Sequence, residues 1–217
     1  MSVATTPVEA ARAAARAAFF DLVARVAHDL NNHLATILGK AEIAMMVDDP
    51  RRWRRGIEES YRAGQRARAA VADLQRVQGW IGADTPDPAP LAEVLELARR
   101  LAGRSLARLS LEPAIVERSG AIVADPAPWT LALWQVLSDR ARRCDEAPAG
   151  GWTLEAVRGE GCITITLAHP GADAGAPGGG GTGHGLAGGI DAAVRLVESC
   201  GGTLAASGET TRLELPL

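Results

Sequence analysis

Phe20, Val23, Ala27, Leu30, Leu34, Ile37, Ala41 and Ala44 follow one another at alternating spacings of three and four. That is a heptad seam, a stripe of apolar side chains along one side of a helix. Asp48-Asp49-Pro50 interrupts the run and reads as a turn. From about Arg51 to Ile81 the pattern resumes through Ile57, Ser60, Gly64, Ala67, Val71, Leu74 and Ile81, with Gln78 polar at one seam position. Two helices joined by so short a connection form an antiparallel hairpin. One hairpin cannot cover both of its seams. The spacing therefore predicts a homodimer in which two hairpins close into a four-helix bundle. Ala24 and Ala35 lie near the seam and are small enough to let a partner approach. A core-facing helix of any bundle carries the same stripe, so the stripe alone says nothing of function.

Function is carried by His28-Asp29-Leu30-Asn31-Asn32, set inside the first helix and off its seam. Residues four apart share a helix face, so His28 and Asn32 project into the same patch of solvent. A neutral imidazole is nucleophilic and titrates near physiological pH. Asp29 can hold one ring nitrogen and fix the tautomer, leaving the other nitrogen to attack phosphorus. Asn32, with Asn31 beside it, can orient a water or a transferring phosphoryl group. The pentapeptide resembles the phosphoacceptor motif of the HisKA-type dimerisation and histidine-phosphotransfer domain of two-component histidine kinases. Many members of that family carry a proline soon after the histidine. Here His33 takes that place, so the helix is expected to run on without a kink.

The 217 residues allow one or two domains. No stretch is long and apolar enough to span a membrane, and the start lacks a signal-peptide core. Cys144, Cys162 and Cys200 are isolated, without metal-site spacing, and read as small hydrophobes in a reducing compartment. A cytoplasmic protein is expected. The chain has a formal net charge of −3, yet residues 1–81 are net basic and the remainder acidic. Arg51, Arg52, Arg54 and Arg55 cluster at the hairpin tip, followed by Arg62, Arg66 and Arg68. Most read as a solvated face, and some suit an acidic protein partner. So modest a balance is a poor fit to nucleic acid.

Gly82-Ala83-Asp84-Thr85-Pro86-Asp87-Pro88-Ala89-Pro90 marks a boundary, because proline at that density stiffens a linker and stops helices. Three segments follow: a hairpin over 8–81, a linker over 82–90 and a second domain over 91–217. In the second domain the pattern predicts a helix over 91–102 and a strand near Ala107, Leu109 and Leu111. A short strand follows over 121–124, ending at Asp125-Pro126, then a helix over 129–144 and strands near 152–157 and 162–168. After a glycine-rich loop come a helix over 186–200 and strands at 203–207 and 212–215. The fold class is α+β: a hairpin bundle followed by an α/β sandwich. This order is similar to the Bergerat-type ATP-binding domain of histidine kinases. Ala124-Asp125-Pro126 with Leu133-Trp134-Gln135-Val136-Leu137 resembles the approach to that family's N box. Gly181-Thr182-Gly183-His184-Gly185-Leu186-Ala187, with Gly201-Gly202, resembles its second glycine box.

The departures define the expected chemistry. The resemblance places Asp139 and Arg143 at the two positions where the N box carries asparagine. An arginine offers only donors and cannot ligate a metal. His169 stands where the family has an adenine-binding aspartate. Gly171 to Gly185 is too short for the usual ATP lid. Gly181, Gly183 and Gly185, ahead of a helix, are what remains to cradle an anion. No metal ligand set and no cofactor are expected of this degenerate domain. The whole is similar to two-domain histidine phosphotransferases of bacterial phosphorelays, which implies exchange of phosphoryl groups with response-regulator receiver domains. Mg2+ would then come from the partner receiver. A divergent ATP-dependent kinase and a non-enzymatic pseudokinase that dimerises with or sequesters signalling partners are the alternatives.

Overall fold

The computed structural model describes residues 7–103, 110–111, 122–144, 153–168, 189–207 and 210–216. The chain divides into two compact units. One is Phe19–Gln78; the other joins the chain up to Ala18 to the chain from Gly79 onward.

The first unit lies within two long helices, α1 (Pro7–Met46) and α2 (Pro50–Gly82). α1 has 40 residues, about 60 Å at 1.5 Å per residue, and it passes His33 unbroken as the sequence requires. Asp49 starts α2. Its carboxylate accepts the Arg51 N–H at 2.9 Å and its carbonyl accepts the Trp53 N–H at 3.0 Å. Asp49 is thus the N-cap and Pro50 the first helical residue, where a missing N–H costs nothing. Lys40 Nζ and Glu59 Oε2, 2.6 Å apart, link the two helices. That hydrogen bond holds the Glu59 carboxyl below its usual range. Near it a Cβ at Gly56 would stand 3.4 Å from the Lys40 carbonyl, so a small residue marks the close approach.

The heptad seam resolves into two rows. Val23, Leu30, Ile37 and Ala44 are half-buried, whereas Phe20, Ala27, Leu34 and Ala41 are exposed, Phe20 at 72% and Leu34 at 52%. On α2 Ser60, Gly64, Ala67, Leu74 and Ile81 are half-buried, while Ile57, Val71 and Gln78 face solvent. The fully buried positions are neighbours of the predicted ones, Leu22 and Val26 on α1 and Gly56, Ala63 and Val77 on α2. The inner surface of the hairpin is therefore rotated off the predicted stripe. Part of the stripe is left uncovered in a single chain.

The second unit begins with the first turns of α1, so the division does not coincide with the proline-rich linker. Ala11, Ala15 and Ala18, spaced four and three apart, are buried, as is Trp80 near the end of α2. The Arg12 guanidinium donates to the Asp84 carbonyl. Strand β1 (Ala89–Pro90) then pairs antiparallel with β3 (Ile122–Val123). Helix α3 (Leu91–Ala102) buries Leu91, Val94, Leu95, Ala98 and Leu101, an apolar face at helical spacing. α4 (Pro126–Cys144) contacts α3 on one side and α5 (Gly189–Ser199) on the other.

Beside these helices lies a five-stranded sheet in the order β2-β4-β5-β7-β6. Its strands are β2 (Ser110–Leu111), β4 (Thr153–Arg158), β5 (Cys162–Ala168), β6 (Thr203–Ser207) and β7 (Thr210–Pro216). β2 and β4 run parallel, and the other pairs are antiparallel. Leu154, Ala156, Ile163, Ile165, Leu167, Leu213 and Leu215 are buried and alternate with polar or exposed residues. One face is thus core and the other is open, as period-two patterning dictates. The expected α+β class holds. Ala107, Leu109 and the glycine-rich stretch over 171–185 lie outside the described residues.

Two boundaries moved for local chemical reasons. α4 starts one turn before Trp129 because Asp125 accepts the Ala127 N–H and Pro126 opens the helix. This is the Asp-Pro device of α2 used again. α5 ends at Ser199 in a Schellman closure: Gly201, at φ +77°, donates to the Glu198 carbonyl and Gly202 to the Val197 carbonyl, both at 3.0 Å.

Candidate functional site

His28 sits on the uninterrupted middle of α1 with its side chain exposed. Asn31 and Asn32 are exposed as well, and Asp29 is half-buried. His28 and Asn32 share a face, as the spacing of four demands. The Asn32 carbonyl accepts the Thr36 hydroxyl at 2.9 Å, a bond back along the helix that leaves the Asn32 amide group to solvent. Asp29 is differently engaged from the sequence expectation. Its Oδ2 faces Arg25 Nε at 3.7 Å, one turn toward the N-terminus, and among the described residues no hydrogen bond joins it to His28. Sequence reading passed over Arg25, although an opposite charge four residues before Asp29 is a legible helix pair.

The N-box-like helix is enclosed. Every residue from Pro126 to Leu137 is buried, including Trp129 and Trp134. Both tryptophans are core. Asp139, at one of the aligned asparagine positions, is only 6% exposed, and its neighbour Arg140 2%. Arg140 donates from Nε and Nη2 to the Thr211 hydroxyl on β7, at 3.0 and 2.6 Å. This end of α4 is thus fastened to the sheet by a buried arginine. The side chain of Arg143, and all of His169, Gly181, Gly183 and Gly185, lie outside the described residues.

A second group of ionisable side chains gathers where α4 begins. Asp125, half-buried, lines a crevice with Arg12, Ala15, Trp80, Ile81, Ala127 and Pro128. Burial raises its carboxyl above the usual range, opposed by the Ala127 N–H and the Arg12 charge. Burial also pushes the Cys200 thiol up to about 11; its hydrogen bond with Ser199 opposes this, and the Asp125 charge adds to it. At pH 8 about one thiol in a thousand is then thiolate, the reactive form. Iodoacetamide is expected to label Cys200 about a hundredfold more slowly in the folded protein than in denaturant, read by peptide mass spectrometry. Equal rates would mean that the thiol is not shielded.

No protein-family model matches the chain, and no curated protein does. Solved structures do. The blue-light activated histidine kinase of Erythrobacter litoralis EL346 shares 18% identity over 91% of this chain, with a TM-score of 0.40. The match spans 63% of that protein, less than two thirds of it. Acinetobacter baumannii histidine kinase AdeS is 12% identical, covering 87% of this chain and 97% of that one, with a TM-score of 0.42. The histidine kinase domain of the Erythrobacter protein gives 13% identity, 86% and 94% coverage and a TM-score of 0.41. All three are histidine kinases or a domain of one. Among the described residues no helix is long and apolar enough to cross a membrane.

Proposed function

We propose that this chain is a phosphorelay histidine phosphotransferase. It moves a phosphoryl group between receiver-domain aspartates through phospho-His28 and does not use ATP. The observation that carries this reading is the exposed His28–Asn32 face on an unbroken helix, set apart from an uncovered apolar row. The row through Phe20, Leu34 and Ile57 supports a homodimer, which would cover it and leave His28 outside.

The chemistry follows from the side chains. Neutral imidazole attacks the phosphorus of an upstream aspartyl phosphate through Nε2. The N–P bond forms as the P–O bond breaks, and the electron pair leaves with the aspartate carboxylate. The Asp29 carboxylate, which faces Arg25 before phosphorylation, turns to Nδ1 and stabilises its proton. The amide groups of Asn32 and Asn31 donate to phosphoryl oxygens and hold the group for attack by a second receiver's aspartate, which reverses the step. Mg2+ is supplied within the receiver's own acidic pocket. The second unit, with its N-box helix enclosed, serves as a docking surface.

The test is a pair of parallel incubations of the purified chain, one with γ-labelled ATP and Mg2+, the other with labelled phosphoramidate as a direct phosphoryl donor. Phosphohistidine at residue 28 from phosphoramidate but not from ATP is expected. Label from ATP would make this a divergent kinase instead.

A further inference from the structure

We infer that Arg25 is a phosphoryl-positioning residue that exchanges its carboxylate partner, Asp29, for the phosphoryl group on His28. The inference rests on the phosphotransferase reading and adds a residue to it. Side chains on a helix lean toward its N-terminus, so the His28 ring stands over the turn that holds Ala24 and Arg25. Ala24 is exposed and small, which leaves room there for a phosphoryl group. Asn32 leans back over His28 from the other side by the same rule. A group on Nε2 is thereby flanked by an amide on one side and a guanidinium on the other. Between Arg16 and Lys40, Arg25 is the one Lys or Arg in the sequence.

The present partner is easily given up. Arg25 Nε and Asp29 Oδ2 are 3.7 Å apart, with the two side chains 54% and 40% exposed. A charge-assisted hydrogen bond is about 2.8 Å long, and exposed pairs of this kind contribute about 0–1 kcal/mol. A phosphoryl group brings up to two negative charges and three acceptor oxygens, and the planar guanidinium fork matches it better than a single carboxylate oxygen. The exchange also has a second effect. Once Arg25 turns to the phosphoryl group, the Asp29 carboxylate is released to accept the Nδ1 proton of His28. One contact change thus places a cation on the phosphoryl group and an anion on the far ring nitrogen.

The experiment uses the full chain and phosphoramidate, with the rate of phosphohistidine formation at residue 28 followed by phosphorus NMR. Arg25→Ala is expected to slow it about tenfold, roughly one charge-assisted hydrogen bond, with the unfolding midpoint unchanged. Arg25→Lys should recover part of the rate. The wild-type rate should fall with added salt while that of Arg25→Ala stays flat. Wild-type rates in Arg25→Ala, alongside an unlabelled His28→Gln control, would overturn the role of Arg25 and leave the phosphotransferase reading standing. A loss that Arg25→Lys does not relieve and salt does not touch would also overturn it, as a structural effect. Absence of label on wild-type His28 would remove both.

Discussion

His28→Gln is expected to lower phosphoryl incorporation by at least about a thousandfold, to background, because no other group on that face of α1 is a nucleophile of comparable reactivity. Glutamine keeps a polar side chain of similar length and a good helix propensity. His28 is exposed and makes no hydrogen bond or ion pair among the described residues. The change in stability should therefore stay within about 0.5 kcal/mol, as for surface substitutions remote from caps and cores. Two measurements separate chemistry from folding: phosphoryl incorporation from phosphoramidate or a phosphorylated receiver, and a denaturant unfolding curve. If the variant still takes up phosphate at that helix, phosphoryl transfer through His28 is wrong and another residue is the acceptor. If it takes up none yet still supports signalling in cells, the chain acts by binding alone.

The largest structural effect is expected at Gly202. A Cβ there would lie 2.5 Å from the Glu214 carbonyl, 2.5 Å from the Trp129 ring and 3.1 Å from a Val197 methyl. None of these can yield cheaply. The carbonyl belongs to β7, whose register is fixed by β5 on one side and β6 on the other. Trp129 is buried in α4, and Val197 is wholly buried in α5. Gly202 also donates to the Val197 carbonyl to close α5, so the backbone cannot back away without giving up that bond. Gly202→Ala should cost about 3 kcal/mol, the upper part of the range for overpacking, and lower the melting temperature by about 6–12 °C for a chain of this size. Two neighbours calibrate the result. Gly201→Ala meets only a Pro216 carbon at 4.0 Å but must hold φ +77°, a strain of about 1–2 kcal/mol. Gly79→Ala, within α2 and with nothing within 4 Å, should stabilise by about 0.5–1 kcal/mol. A loss below about 1 kcal/mol at Gly202 would mean that the junction of α4, α5 and β7 is looser than these distances imply.

Local rules reached the elements and the position of the reactive group. The two Asp-Pro pairs start α2 and α4 because a carboxylate before proline satisfies the next free N–H. In the sequence only the first reads as a turn into a helix; the second reads as the end of a strand. Alternation along β5 set Cys162–Ala168 at both ends, since a half-covered strand must alternate. The heptad run gave an unbroken α1 and placed His28 off the seam and exposed.

What the sequence by itself determined is thus where each segment points its apolar side, and that His28 and Asn32 share a surface. Periodicity measures angles about a segment's own axis. It does not name the neighbour on that side. The tertiary structure decided that the inner face of the hairpin lies on Leu22, Val26, Ala63 and Val77 rather than on the predicted rows, and that the first turns of α1 join the second unit. It decided that α4 is enclosed through Leu137 and that Arg140 is fastened to Thr211, 71 residues away. The crowding at Gly202 belongs with these. A hydrogen bond, an ion pair or a steric limit depends on which atoms arrive at a point in space. Chain segments far apart in sequence meet there only after folding.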